Sequence, residues 1–353
     1  MTGASIVMPL LRRIDPELAH HAALRALRFG LPGRNRSADD PILETEAFGL
    51  RFRNPIGVAA GFDKNADAVG GLARLGFGFV EAGTVTPRAQ AGNPRPRLFR
   101  LPEDGAVVNR MGFNNTGLDA FLARLREYRA HEVPVGANIG INRDGADPER
   151  DYATLLAAVA PLVEYVVINV SSPNTKGLRD LQRSDRLGAI LRAAVQRSPS
   201  HPPLLVKIAP DMSQDELHAT VRACIESDVQ GLIVSNTTTT RPATLRSRHA
   251  SELGGLSGRP LFGPSTSMLA RAYLLARGRL TFVGVGGISS GEDALIKLKA
   301  GATIVQLYTA LTFAGPGIVS RLKRELAAAL RREGFASVRD AVGAEASRLA
   351  ESA

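Results

Sequence analysis

The sequence predicts a (β/α)8 TIM barrel with an N-terminal helical hairpin, and three observations carry that expectation. From residue 54 onward, short β-branched runs alternate with longer helical patterns, the signature of repeated βα units and a parallel sheet. Eight such runs can be read, the number a closed parallel barrel requires. The turn after the first run, Ala59-Ala60-Gly61-Phe62-Asp63-Lys64, lacks the GxGxxG of the competing doubly wound open sheet.

In chain order the strand candidates are residues 55–61, 77–84, 134–141, 165–171, 204–209, 231–236, 282–287 and 304–308. Each is nearly continuous in apolar residues, as expected where both faces of a parallel strand are covered. Helical patterns fall between them at 117–129, 213–227 and 291–300, and Ser213 with Glu216 forms a capping box at the start of the second. Residues 93–115 are too long for a simple βα loop and too rich in proline for a helix, which predicts a hairpin-like excursion over one barrel end. The uncharged stretch 300–320 reads as a buried strand, a turn and a helix start, because Gln306, Gly315, Pro316 and Gly317 interrupt it.

At the N-terminus, Ile6, Val7, Leu10, Leu11 and Ile14 make one helical stripe. Asp15 as N-cap and Pro16 at the first helical position then open a second, carrying Leu24, Leu27 and Leu31. The expected organisation is a hairpin over 1–40 with a polar linker at its end, a barrel over 41–331, and a tail over 332–353 that packs on the barrel or extends from it. The hairpin has two readings. Its apolar faces can pack on the barrel, or they can dip into lipid while Arg12, Arg13, Arg25, Arg28 and Arg34 meet anionic head groups.

With 353 residues, 44% of them hydrophobic, the chain has an ordinary globular balance that excludes collagen-like, low-complexity and disordered classes. Forty-four Lys+Arg stand against 34 Asp+Glu, giving a net charge of +10, but the arginines are scattered with no basic block. A single cysteine, Cys224, allows neither an intrachain disulfide framework nor a cysteine-based metal cluster, so redox chemistry here requires a bound cofactor. The start of the chain carries no secretory signal pattern, which predicts a protein that stays inside the cell.

Function in a parallel barrel sits at the C-terminal strand ends. The third run holds Asn138, the fourth ends in Asn169-Val170-Ser171-Ser172-Pro173-Asn174, the fifth carries Lys207 and the sixth ends in Ser235-Asn236-Thr237. Four asparagines and a lysine aimed into one mouth suit a planar, amide-bearing, anionic ligand better than a metal. The six histidines fall mostly away from strand ends and form no HxH or HExxH, and Asp63 is the one acid placed close after a strand, which argues against metal and paired-carboxylate hydrolysis. Gly286-Gly287 after the seventh run, with Tyr308-Thr309 after the eighth, permits backbone N–H contacts to a phosphate.

Residues 60–64, Gly83-Thr84-Val85-Thr86-Pro87, Pro96-Arg97-Leu98-Phe99-Arg100, Asn109-Arg110-Met111-Gly112-Phe113-Asn114-Asn115, 169–177, Gly254-Gly255-Leu256-Ser257-Gly258 and 284–288 carry a resemblance: the chain resembles the class 2 dihydroorotate dehydrogenases over essentially its whole length. Class 1 relatives place a cysteine where Ser172 stands and lack the N-terminal hairpin.

The resemblance implies an FMN enzyme that oxidises dihydroorotate to orotate in pyrimidine synthesis and passes electrons to ubiquinone or menaquinone. It implies flavin contacts at Ala59, Ala60, Gly61, Lys64, Thr84, Asn138, Asn169, Lys207, Ser235, Gly258, Gly287, Tyr308 and Thr309. Substrate would be held by Lys64, Asn109, Arg110, Met111, Gly112, Phe113, Asn169, Asn174, Asn236 and Thr237. Ser172 matches the catalytic base, residues 173–179 the lid, and His20, Arg100 and Tyr308 the quinone path. The implied setting is a monomer, peripheral on the cytoplasmic face of the inner membrane, with no nucleic-acid partner. Two other classes compete: an FMN barrel acting on tRNA dihydrouridine, which needs a catalytic cysteine and a basic extension, and a phosphate-binding isomerase, which does not need the four asparagines.

Overall fold

The computed structural model describes residues 13–31, 33–35, 38–128, 133–175 and 177–352. Residues 6–11, on which the first stripe of the expected hairpin falls, lie outside them. Eight parallel strands close into a barrel: Ile56–Val58, Phe79–Val85, Val135–Ile139, Tyr165–Asn169, Leu204–Ile208, Gly231–Val234, Thr281–Val285 and Ile304–Leu307, each paired with its sequence neighbours and the last with the first. The TIM barrel expected from the alternating runs is the fold. The ladders are shorter than the apolar runs because the C-terminal residues of several runs leave the sheet. Ala59 to Gly61 turn away with Gly61 at φ +95°, and Ser171 and Ser172 follow the end of the fourth strand.

The barrel interior is packed by ring against glycine. A Cβ on Gly57 would fall 2.3 Å from the Phe79 ring, and one on Gly136 would fall 2.1 Å from that of Tyr165. These rings fill the layers that alternate strands leave open. A short antiparallel hairpin, Thr45–Ala47 with Leu50–Phe52, closes the N-terminal end, its Phe52 ring 5.4 Å from that of Phe79. Nothing in the sequence reading pointed to this plug, since each arm is only three residues long.

Residues 93–115 contain the antiparallel pair Leu98–Leu101 and Ala106–Asn109, joined by Gly255–Gly258 into a three-stranded sheet with its own small core of Phe99, Leu101, Ala106, Val108 and Leu256. The outer helices include Gln214–Glu226, whose Ser213–Glu216 capping box is present, and Gly291–Lys299, closed by Ser290 with Asp293 in the same manner.

Helix Pro16–Arg28 begins where Asp15 accepts from the Glu17 and Leu18 amides. It packs Ala19 and Leu27 inward and leaves Leu18 exposed, followed by exposed Phe29 and Leu31. Residues 338–350 fold back as two short helices that bury Val338, Ala341 and Leu349 on the barrel. Among the described residues no helix is long and apolar enough to cross a membrane.

Candidate active site

The C-terminal strand ends open into one cavity of about 770 Å³ that runs from the barrel floor to the underside of helix Pro16–Arg28. Its polar end is an asparagine cluster. Asn169, the last residue of the fourth strand, donates to Thr84 Oγ1 (3.1 Å) and to Asn138 Oδ1 (3.0 Å) while its own Oδ1 accepts from Ser171 Oγ (3.0 Å). Asn236 Nδ2 donates to Ser171 Oγ (3.0 Å), and its Oδ1 accepts from the Thr237 amide (2.7 Å). From the excursion, Asn109 Oδ1 accepts from Asn174 Nδ2 at 3.2 Å. Asn93 Nδ2 donates to the Asn174 carbonyl at 3.2 Å.

Ser172 lines this end, is 6% exposed, and its Oγ accepts from the Asn174 amide at 3.3 Å. The following loop is anchored through Arg179, which donates to Ser171 O, Asp211 and Thr237 O. The loop therefore reads its position from two neighbouring strand ends at once.

Below the cluster, Lys207 projects from the fifth strand. Burial lowers its pKa, while the charge of Glu81 at 3.9 Å favours the ammonium. Glu81 is fully buried and accepts from Asn138 Nδ2 (2.8 Å) and Gln306 Nε2 (2.6 Å), completing a charged layer beneath the mouth. Sequence reading missed Glu81, although a carboxylate inside the apolar run Phe79-Val80-Glu81-Ala82 is itself a signal that a buried partner awaits it. We expect Glu81→Ala to leave the Lys207 ammonium uncompensated and to destabilise by about 3 kcal/mol, with Glu81→Gln costing less, as read by thermal unfolding.

Lys64 also lines the cavity and donates to Gly61 O at 2.9 Å; burial brings its pKa down to about 8, with Glu17 the largest opposing influence. Asp63, by contrast, turns away from the cavity to accept from the Asp67 and Ala68 amides, and burial pushes its pKa up to about 6. It caps a turn, so the one acid that sequence spacing placed near the mouth is structural.

Nearly all the residues singled out from sequence reach the lining. Ala59, Ala60, Gly61, Thr84, Ser235, Gly258, Gly287, Tyr308 and Thr309 ring it, and Met111, Gly112 and Phe113 reach in from the excursion. Two do not. Asn138 lies one layer below, hydrogen-bonded to Glu81, Asn169 and Thr84. Arg110 points outward, donating to Glu252 Oε2 (2.8 Å), Leu253 O (3.0 Å) and Pro96 O (2.9 Å) over the Phe99 ring, so its guanidinium braces the excursion rather than facing the cavity.

The apolar end is roofed by the N-terminal helix. His20 packs edge-on against Phe62 (5.1 Å) and lies 6.2 Å from Tyr308, while Arg100 donates to the Ile14 carbonyl at 2.9 Å. Desolvation under the helix, reinforced by the Lys64 charge, pushes the His20 pKa down to about 3, so its imidazole is neutral at ordinary pH. The helix is held down by Glu17, which takes Arg97 Nε (3.1 Å), Arg97 Nη2 (2.6 Å) and Arg95 Nη2 (3.0 Å) from the excursion. Glu17 and Arg97 are 5% and 6% exposed, an ion pair out of water that sequence reading did not find.

The lining can hold a planar, phosphate-bearing ligand. Gly286 and Gly287, at φ +111° and +78°, form a wall that a side chain would fill, since a Cβ on Gly287 would meet Phe262 backbone atoms at 2.7–2.8 Å. Both glycines line the cavity, so backbone without a side chain faces an anion there, and Lys207 with Thr84, Asn169 and Ser235 offers donors to a polar ring edge.

A closed barrel with this roofed, asparagine-lined mouth is the architecture of a barrel enzyme. A family model described as dihydroorotate dehydrogenase matches residues 42–330. The dihydroorotate dehydrogenase (quinone) of Rhodospirillum rubrum is 51% identical over 345 residues, 96% of this chain and 94% of that protein. The mitochondrial dihydroorotate dehydrogenase (quinone) of Mus musculus is 48% identical over 97% of this chain and 90% of its own. The ligand-free crystal structure of DHODH from Eimeria tenella superposes with a TM-score of 0.91 at 41% identity, covering 94% of this chain and 99% of that one. The chain belongs to the dihydroorotate dehydrogenase family, in its quinone-dependent class 2.

Proposed function

We propose that the protein oxidises dihydroorotate to orotate, with FMN as resident cofactor and a membrane quinone as electron acceptor. One observation carries the reading: a single cavity joins the Asn169–Ser172 cluster to the underside of an amphipathic helix, so a polar substrate and an apolar acceptor can reach the same cofactor from opposite ends.

Asn109, Asn174, Asn236 and Thr237 present both donors and acceptors, as the ring amides and carboxylate of dihydroorotate require, and Lys64 adds a cation. Ser172 Oγ takes the C5 proton as the C6 hydride leaves, which converts the C5–C6 single bond to the double bond of orotate. A serine is a weak standing base, so the step needs a relay and a water-poor site; its 6% exposure supports this. FMN held by Ala60, Thr84, Asn169, Lys207, Ser235, Gly258, Gly287 and Thr309 would supply the two-electron acceptor. Lys207 would favour negative charge on the reduced ring. Quinone, entering beside His20, Arg100 and Tyr308, would leave as quinol after taking two electrons and two protons.

Exposed Ile14, Leu18, Phe29 and Leu31, with Arg25 and Arg28 nearby, support peripheral attachment to an anionic membrane through the helix, and we place the protein as a monomer on the cytoplasmic face of the inner membrane. A tRNA-dihydrouridine activity has less support: Cys224 is fully buried in helix Gln214–Glu226 and burial pushes its thiol up to about 12, so it cannot serve as a catalytic cysteine. The test is dihydroorotate-dependent reduction of a soluble quinone by the full chain, with flavin bleaching followed in parallel. A flavin that dihydroorotate never bleaches would leave the barrel and cofactor standing and remove the substrate.

A further inference from the structure

Lys297 is a buried charge that the catalytic reading does not use. It lies on helix Gly291–Lys299, is fully buried, and its Nζ donates to one side chain, Ser265 Oγ at 2.6 Å, while standing 5.1 Å from the centre of the Phe262 ring. Three other buried lysines are matched: Lys299 contacts Glu333 and Glu345, Lys323 contacts Asp39, and Lys207 has Glu81. No carboxylate among the described residues lies within 4.0 Å of Lys297. Asp293, one turn away, commits its carboxylate to the Ser289 amide and hydroxyl and the Ser290 amide. Burial pushes its pKa well below the usual lysine range, with only the charge of Asp293 opposing, so an ammonium kept there with a hydroxyl and an aromatic face for company needs a further counter-charge.

Its two neighbours show where that counter-charge belongs. Ser265 Oγ donates to Leu261 O at 2.7 Å and also lies 3.3 Å from the Gly286 carbonyl, and a Cβ on Gly286 would fall 2.5 Å from the same oxygen. Phe262 forms the wall against which Gly287 packs. Both residues that enclose the ammonium are thus the backing of the Gly286–Gly287 cradle, whose other side lines the cavity. A cation one layer behind open backbone amides deepens an anion site without entering it.

We infer that Lys297 is a positioning residue for the cofactor's phosphate, supplying through Ser265 and Gly286 the positive charge that the phosphate pairs with when bound. The inference rests on the FMN reading above and assigns one part of that ligand to one buried cation. The phosphate group is the only part of FMN that riboflavin lacks, so the two flavins separate a charge role from a packing role.

The experiment is flavin titration of full-length protein stripped of flavin, wild type against Lys297→Met, with both FMN and riboflavin. The expected result is that Lys297→Met weakens FMN binding by about tenfold or more and changes riboflavin binding by less than about twofold, collapsing the preference for the phosphorylated ligand. Ser265→Ala, which cuts the link between ammonium and loop, is expected to move that preference in the same direction and decides the matter if Lys297→Met does not fold. Equal loss of both flavins in the variants, or no loss of either, overturns the inference. A wild-type chain that binds neither flavin fails at the cofactor reading itself and takes the inference with it.

Discussion

Ser172→Ala is expected to slow flavin reduction by dihydroorotate about 10²- to 10⁴-fold, the range of a positioned proton transfer. Ser172 is 6% exposed just past the strand end and among the described residues its hydroxyl bonds only locally, to the Asn174 amide, so its loss removes a functional atom with little packing volume. FMN content and reoxidation by quinone should be close to wild type, because Ser172 stands at the asparagine end of the cavity and the quinone end is roofed by His20 and Tyr308. Stopped-flow flavin bleaching, followed by mixing of reduced enzyme with quinone, separates the two half-reactions. Ser172→Cys distinguishes a base at this position from a packing role: a thiol titrates near pH 8.5, so its residual rate should climb with pH across about that value where the alanine variant stays flat. Bleaching within a few-fold of wild type in Ser172→Ala would assign the base elsewhere.

The polar segment Asn169 to Asn174 was legible in the sequence because barrel geometry makes strand ends informative and it directly follows the apolar run of the fourth strand, whereas the role of Ser172 within it rests on the family resemblance. The strands were legible for the related reason that a parallel strand buried on both faces leaves an unbroken apolar signature. Helix caps with a local code, Ser213 with Glu216 and Asp15 with Pro16, were equally readable. What escaped is non-local. Glu17 and Arg97 are 80 positions apart, and neither carries a sequence mark that it is buried. Glu81 bonds Gln306 across 225 positions to close the floor of the mouth. Arg110 was carried into the site with Asn109 and Met111 by the family resemblance, yet its long guanidinium is drawn outward to Glu252, Leu253 O and Pro96 O.

Glu17→Ala should uncouple the two half-reactions in the direction opposite to Ser172→Ala. Burial alone would raise the Glu17 carboxyl, but hydrogen bonds and charge from Arg97 and Arg95 outweigh it and hold its pKa below the usual range. The pairing is therefore complete at neutral pH and is lost only on acidification through that lowered value. Removing the carboxylate strands a guanidinium that is 6% exposed, a change worth about 3–5 kcal/mol for a buried pair. Arg97 Nη1 keeps the Ala91 and Asn93 carbonyls, so the excursion stays tied and the strain falls on the helix. A 13-residue helix is marginal by itself, and losing its anchor releases it locally before the barrel unfolds. The expected result is quinone reduction down about tenfold or more, with dihydroorotate-driven bleaching within about threefold of wild type. Arg97→Ala should differ, because it also frees Asn93, which holds the Asn174 carbonyl at 3.2 Å, so both half-reactions fall together. Equal losses in both half-reactions for Glu17→Ala would show that the helix shapes the substrate end as well as the roof.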